Sequence, residues 1–210
     1  MNWFLKGVRK GVRTEKTPSD VAPWSTELQF KGIEEESGVT SESLRCPTSA
    51  IGPGWIAERC VYCRRCYPHY QPTGNHRMGV VKRVEKRFQR SFYLYPIDVG
   101  TCGACNTELR LIASPQHDLT RFGIFFTNTP RHADALIVMG IMTKGMREAF
   151  RRAYEAMPEP KLVIALGACA ISGGIFQTEK IEADVVIPGC PPSPYTILDA
   201  LIRAKGGRGW

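Results

Sequence analysis

The sequence has no apolar run long enough to cross a bilayer. Its longest, "DALIVMGIM" from Asp134 and "KLVIALGACAI" from Lys161, fall well short of the roughly 18 residues that a spanning helix needs. A secretory leader is missing too, because the basic start "MNWFLKGVRKGVR" leads into no apolar core or cleavage site. The Arg64-Arg65 and Arg151-Arg152 pairs lie too deep in the chain to act as export signals. No helix-turn-helix, zinc-finger or RNA-binding motif accompanies the basic residues, so nucleic acid is not the expected partner. These absences predict a cytoplasmic protein.

What remains is the composition of a globular chain. Its 210 residues, 43% apolar and 23% charged, allow one sizeable core with a small appendage. Eight cysteines in tight groups, in a reducing compartment, point to metal ligation rather than disulfides. Charge is uneven: residues 1–95 carry 16 Lys/Arg against 9 Asp/Glu, whereas 96–210 carry 12 against 11. A basic half suits a solvated face, a matching acidic subunit, an acidic electron donor or anionic lipid head groups.

Composition changes at about residue 91, and the expected domains are 1–90 and 91–210. The first part is rich in Pro, Gly and charge. In the second, "FYLYPIDVG", "RFGIFFTN", "ADALIVMG", "KLVIALG" and "ADVVIPG" read as buried strands. Between the third and fourth, "TKGMREAFRRAYEAMPEP" places Met146, Phe150, Ala153 and Met157 on one helical face before Pro158. "SPYTILDALIRAKGG" reads as a last helix closed by glycines. Strand–helix alternation predicts an α/β fold, an open parallel sheet with helices on both faces.

Function in such sheets gathers beyond the carboxyl ends of the strands. Those ends read "DVGTCGAC", "LGAC" and "PGCPP", which gathers Cys102, Cys105, Cys169 and Cys190 at one rim. Four thiolates suit either a [4Fe–4S] cluster or tetrahedral zinc, and buried cysteines also serve as small hydrophobes. Neighbouring Gly100, Gly103, Gly167 and Gly189 let backbone N–H groups approach inorganic sulfides, which leans toward the cluster.

The motifs "GTCGACNTE", "TPRHADALIVMG", "GACAISGGIF" and "PGCPPSP", in that order, resemble the cluster-carrying small subunit of membrane-bound, energy-converting [NiFe] hydrogenases. They are also similar to the homologous subunit of respiratory complex I. The resemblance covers residues 92–205. It implies a flavodoxin-like fold and a [4Fe–4S] cluster next to a catalytic large subunit, with Cys102, Cys105, Cys169 and Cys190 as ligands. The complex I branch has adjacent cysteines where this chain has Cys102-Gly-Ala-Cys105, and usually Gln where it has His132, so both features resemble the hydrogenase branch. Glu108 falls on the acidic position that follows the paired cysteines. The resemblance makes Glu108, Arg131 and His132 expected tuning or proton-path residues. Asn106 and the short stretch from Gly174 to Ala183 depart from the pattern.

The other four cysteines lie in "RCPTSAIGPGWIAERCVYCRRC". In a two-cluster ferredoxin the motif is Cys-x2-Cys-x2-Cys-x3-Cys-Pro, and its fourth cysteine ligates the other cluster. Cys46-Pro47 matches the end of one motif, and Cys60, Cys63 and Cys66 match the start of the next, so these four share one cluster. The ligands of the second ferredoxin cluster are replaced together, by Glu36, Val39, Glu42 and Tyr70. Zinc on the same thiolates is the rival, with His69 and His76 available to complete a site.

The stretch "FLKGVRKGVRTEKTP" resembles the start of the ferredoxin-like subunit of the same complexes. Met1, Phe4, Leu5, Val8 and Val12 share a helical face largely opposite Lys6, Arg9, Lys10 and Arg13, as in a helix lying on a membrane or packed on a neighbour. The whole chain then reads as a flavodoxin-like domain preceded by a small, irregular ferredoxin-like segment. Its implied work is electron relay through two [4Fe–4S] clusters in an oxidoreductase complex, peripheral on the inner face of the cell membrane. The implied partners are a hydrogenase-like large subunit, integral membrane subunits and a ferredoxin-like electron donor. A related complex reducing quinone or another acceptor without nickel is the alternative, and a zinc-stabilised assembly protein is a third reading.

Overall fold

Each apolar run of the second half becomes a strand whose alternate residues face opposite layers. The computed structural model describes residues 3–10, 26–31, 44–176, 178 and 180–207. Five parallel strands form the sheet: β4 (Phe92–Gly100), β5 (Ile124–Phe126), β6 (Ala135–Gly140), β7 (Leu162–Leu166) and β8 (Val185–Ile187). Their spatial order is β8-β7-β6-β4-β5, which is the flavodoxin-like order with its switch point between β4 and β6.

The sheet also reaches back across the expected boundary at residue 91. The short strand β3 (Val80–Val81) pairs antiparallel with β8, Val80 opposite Val186 and Val81 opposite Val185. Phe88 is buried and stacks on Phe92 with ring centroids 5.2 Å apart. The segment before β4 is thus part of the same core.

On one face Leu94, Ile137, Ile164 and Ile187 pack against α2 (Ala104–Leu111) and α5 (Pro194–Ala204) through Leu109, Ile197 and Leu201. On the other, Ile97, Val99, Leu136 and Val138 meet α3 (Arg147–Ala156). There Ala153 and Met157 are buried and Met146 and Phe150 pack against them, the face expected from the sequence. Each fully buried aliphatic side chain contributes about 1.5–3 kcal/mol before entropy is counted. A one-turn helix, α4 (Ala168–Ser172), follows β7 directly.

The first half has little regular structure. A hairpin-like pair, β1 (Leu28–Phe30) and β2 (Tyr70–Pro72), runs antiparallel, with Gln29 opposite Gln71. The 3-10 turn Ala57–Arg59 packs against α4, which seats the cysteine segment on the sheet domain. Helix α1 (Trp3–Lys10) leaves Leu5, Lys6, Val8 and Arg9 exposed. The placements of Met1, Val12 and Arg13 on its face lie outside the described residues, as do Glu36, Val39 and Glu42.

Candidate metal centre

The rim cysteines come from three strand ends. Cys102 and Cys105 follow β4, Cys169 is the second residue of α4 after β7, and Cys190 follows β8. The β4–β6 register shifts between Asp98 and Gly100, a bulge that redirects the chain at the edge of the site. Beyond it Asp98 holds the turn. Its carboxylate accepts from Gly100 N–H at 3.0 Å, Thr101 N–H at 2.9 Å, Thr101 Oγ1 at 2.8 Å and Asn106 Nδ2 at 3.0 Å. Burial opposes the charge, but these bonds win and hold Asp98 below the usual carboxylate range.

Glycine is required at two points of this rim. A Cβ on Gly167, at φ +87°, would stand 2.6 Å from Cys105 Sγ. One on Gly174, at φ +55°, would stand 3.1 Å from Cys169 Sγ. At Gly167 a side chain would collide with the sulfur, at Gly174 it would press on it, and at both the positive φ strains any residue but glycine.

The four thiols sense one another. Burial first, then the charges of Cys190, Cys169 and Cys102, push Cys105 up to about 12. Burial, with Cys169 and Cys102, pushes Cys190 up to about 11. Three half-buried thiolates and an exposed fourth, Cys102, repel each other unless a positive centre stands among them, which fits a metal-ligating donor set. Glu108 is half-buried on α2 and its charge also acts on Cys105, so it lies at this rim.

The second set surrounds a cavity of about 340 Å3 lined by Cys46, Cys60, Cys63 and Cys66, with Trp55, Tyr62 and Tyr70 among its walls. Burial raises Cys60 and Cys66, and the charges of the other cysteines of the set add to it. Cys46 differs. Burial opposes its ionisation, yet the Thr48 hydroxyl at 3.6 Å and the Ala50 N–H, donating at 3.2 Å, bring it below the ordinary thiol value. Amide donors on sulfur are the surroundings that tune iron–sulfur ligands.

The charge of Cys60 acts on Cys190, and Tyr62 feels both. Tyr62 sits at φ +50°, its hydroxyl donating to the Thr26 carbonyl at 2.9 Å and its N–H to Cys60 Sγ at 3.4 Å.

A tetrahedral zinc draws its four ligands to within about 2.3 Å of one point. Among the described residues no three of His, Cys, Asp or Glu converge in that way. His69 and His76 do not line the cysteine cavity; His76 instead lies against the Tyr195 ring, centroids 6.2 Å apart.

Arg131 and His132 fall elsewhere. Their 3-10 turn, Pro130–His132, precedes β6, and the neighbouring Asp134 accepts from Tyr93 N–H near the start of β4. That is the amino-terminal edge of the sheet, seven strand residues or roughly 20 Å from the rim. Arg131 and His132 thus lie away from the rim thiols, whereas Glu108 lies at the rim. Sequence reasoning missed Asp98 and Thr101, which organise the Cys102 turn; the only signal was polar residues bracketing "VG" at a strand end.

Residues 102–204 match the family described as NADH ubiquinone oxidoreductase, 20 Kd subunit. Formate hydrogenlyase subunit 7 of Escherichia coli (strain K12) is 43% identical over 130 residues, which cover 58% of this chain and 51% of that protein. The chain therefore spans about half the length of that relative. An NADH-quinone oxidoreductase subunit of Citrifermentans bemidjiense is 39% identical over 143 residues, covering 64% of this chain and 84% of that protein. Among solved structures, a chain of the membrane-bound sulfane sulfur reductase (MBS), an archaeal respiratory membrane complex, is similar at 29% identity and TM-score 0.48. That likeness covers 59% of this chain and 77% of the other.

Proposed function

The chain belongs to the NADH ubiquinone oxidoreductase 20 Kd subunit family, and from that premise we propose that it relays electrons through two [4Fe–4S] clusters to the large subunit of a membrane-bound [NiFe] hydrogenase-type complex. The observation that carries the reading is the sorting of the eight free cysteines into two sets of four, Cys46, Cys60, Cys63 and Cys66 around one cavity and Cys102, Cys105, Cys169 and Cys190 at the strand ends.

When bound, a [4Fe–4S] cluster supplies one-electron transfer at a potential its surroundings set between about −700 and +450 mV. Cys46, Cys60, Cys63 and Cys66 would hold one, and Cys102, Cys105, Cys169 and Cys190 the other. Asp98, Thr101 and Asn106 keep the Cys102 turn in place, while Gly167 and Gly174 leave room for the sulfurs. Glu108 sets a carboxyl group beside Cys105 and is the candidate for tuning at the rim. No side chain here is asked to make or break a substrate bond; that chemistry belongs to the partner.

The partners in this reading are a hydrogenase-like large subunit, integral membrane subunits and a ferredoxin-like donor. Ile175 and Phe176, 59% and 61% exposed directly after the Cys169 helix, offer the large subunit an apolar contact beside the rim. Among the described residues no helix is long and apolar enough to cross a membrane, and exposed Leu5 and Val8 on α1 support peripheral attachment at the cytoplasmic face. The domain division follows: a cluster segment with a basic helix up to about residue 79, then the sheet domain from β3.

A nickel-free complex I-like function is favoured by one observation, the 84% coverage of the NADH-quinone oxidoreductase relative. Elemental analysis of the complex, purified anaerobically through a tag on this chain, separates the readings. About eight irons per chain from this subunit with stoichiometric nickel is the expected result. Iron without nickel would move the assignment to quinone or another acceptor, and zinc in place of iron would end the relay.

A further inference from the structure

Of the four cysteines around the 340 Å3 cavity, Cys60 is buried and Cys63 is exposed. Cys63 sits between two non-glycine residues in the left-handed region, Tyr62 at φ +50° and Arg64 at φ +60°. Such strain persists only where the surroundings hold it. Here the Tyr62 hydroxyl is anchored to Thr26, and its ring meets Trp55 edge-on at 6.3 Å. The backbone is therefore wound so that one sulfur of the set reaches the surface.

What surrounds that sulfur is one-signed. Arg45, Arg64 and Arg65 line the same cavity, all three exposed. Among the described residues no ion pair involves any of them. From residue 44 to residue 69 the only carboxylate is Glu58, against four arginines. Tyr67, 66% exposed, also lines the cavity. Arginine and tyrosine around a central feature are the side chains that protein interfaces concentrate. Lipid head groups would also satisfy arginines, but a bilayer surface has no need of an exposed metal-ligating sulfur at its centre.

We propose that Arg45, Arg64, Arg65 and Tyr67 around Cys63 form the docking surface for a small acidic electron-carrier protein. This rests on the relay reading above and locates its starting point. A carrier docked here would give up one electron, and a cluster held by Cys46, Cys60, Cys63 and Cys66 would accept it, with no bond made or broken. The arginines steer and orient the carrier, raising its rate of productive encounter at low ionic strength.

The test uses the anaerobically purified complex with a plant-type acidic [2Fe–2S] ferredoxin as probe. Its equilibrium binding and its rate of electron delivery are measured against ionic strength. Arg64→Glu/Arg65→Glu is compared with Arg87→Glu/Arg90→Glu, which makes the same charge change at exposed residues outside the cavity wall. The first pair is expected to lower both affinity and rate about tenfold or more at low salt and to flatten the salt dependence. Reduction by a zwitterionic viologen should stay unchanged, and Arg64→Gln/Arg65→Gln should give a smaller loss, which guards against a folding defect. Equal losses from both glutamate pairs, or none from the first, would overturn the docking surface. So would release of the complex from phosphatidylglycerol vesicles with ferredoxin binding intact. Iron content of the same preparations separates the two ideas. Iron missing from this set removes the relay and the docking surface together; iron present with ferredoxin binding unchanged removes only the docking surface.

Discussion

Gly167→Ala would put a methyl carbon 2.6 Å from Cys105 Sγ, roughly 0.8 Å inside the 3.4 Å at which ordinary contact begins. Two penalties combine. At φ +87° an alanine costs about 1–2 kcal/mol in backbone strain alone. The sulfur must also retreat, and ligand distances in a working metal site hold to about ±0.2 Å. Strain at this level lowers stability by about 1–3 kcal/mol, whereas the displaced ligand should empty the rim site. The assay is iron content with low-temperature EPR of the reduced complex. Gly167→Ala should lose about four irons per chain, with the signal of the Cys46/Cys60/Cys63/Cys66 site retained. Gly145→Ala, whose Cβ meets nothing within 4 Å, should lose none. Full iron and an unaltered spectrum in Gly167→Ala would refute the claim that Cys105 is held as a ligand in this position.

Other perturbations follow from the same contacts. Asp199 is fully buried on α5, paired with Arg203 at 2.7 Å and with Arg77 at 3.9 Å. Arg203→Ala strands most of that charge and should cost about 3 kcal/mol, a fall in Tm of about 6–12 °C by calorimetry; a change under 2 °C would show the pair to be dispensable. Asp98 is exposed, so Asp98→Ala should cost only about 1 kcal/mol despite its four hydrogen bonds. Because its folded carboxyl is held low, that contribution is whole above the usual carboxylate range and disappears as pH falls through it. The wild-type and Asp98→Ala stability curves should therefore converge below about pH 4, and parallel curves would contradict the assignment. Leu5→Glu/Val8→Glu should release the assembled complex from anionic vesicles in a flotation assay, and unchanged flotation would remove α1 as an attachment site.

The parallel strands were legible because each is a short apolar run bounded by Gly, Pro or polar residues, as in "KLVIALG" and "ADVVIPG". Their order was not. Which strand neighbours which depends on crossovers that periodicity does not encode, and β3 is two residues long, too short for any period. Helix α2 was hidden by its overlap with the cysteine motif, since "ACNTELRL" draws attention as ligands before it reads as a helix. The two cysteine sets were legible as spacings. The seating of the first set on the sheet domain was not, because it depends on the packing of Ala57–Arg59 on α4, more than 100 residues away in the chain. Arg131 and His132 were singled out by resemblance, and their position came from the strand pattern. "TPRHAD" precedes a strand, which already places it at the amino-terminal edge of the sheet.

The central claim is two independent clusters on one chain, and the most direct measurement is iron per chain in Cys60→Ser and Cys190→Ser complexes, with EPR of each. Each variant should lose about four irons and one signal, a different one in each, with the remaining signal broadened less by its missing neighbour. Unchanged iron in Cys60→Ser would contradict the account, leaving a single centre at the strand ends.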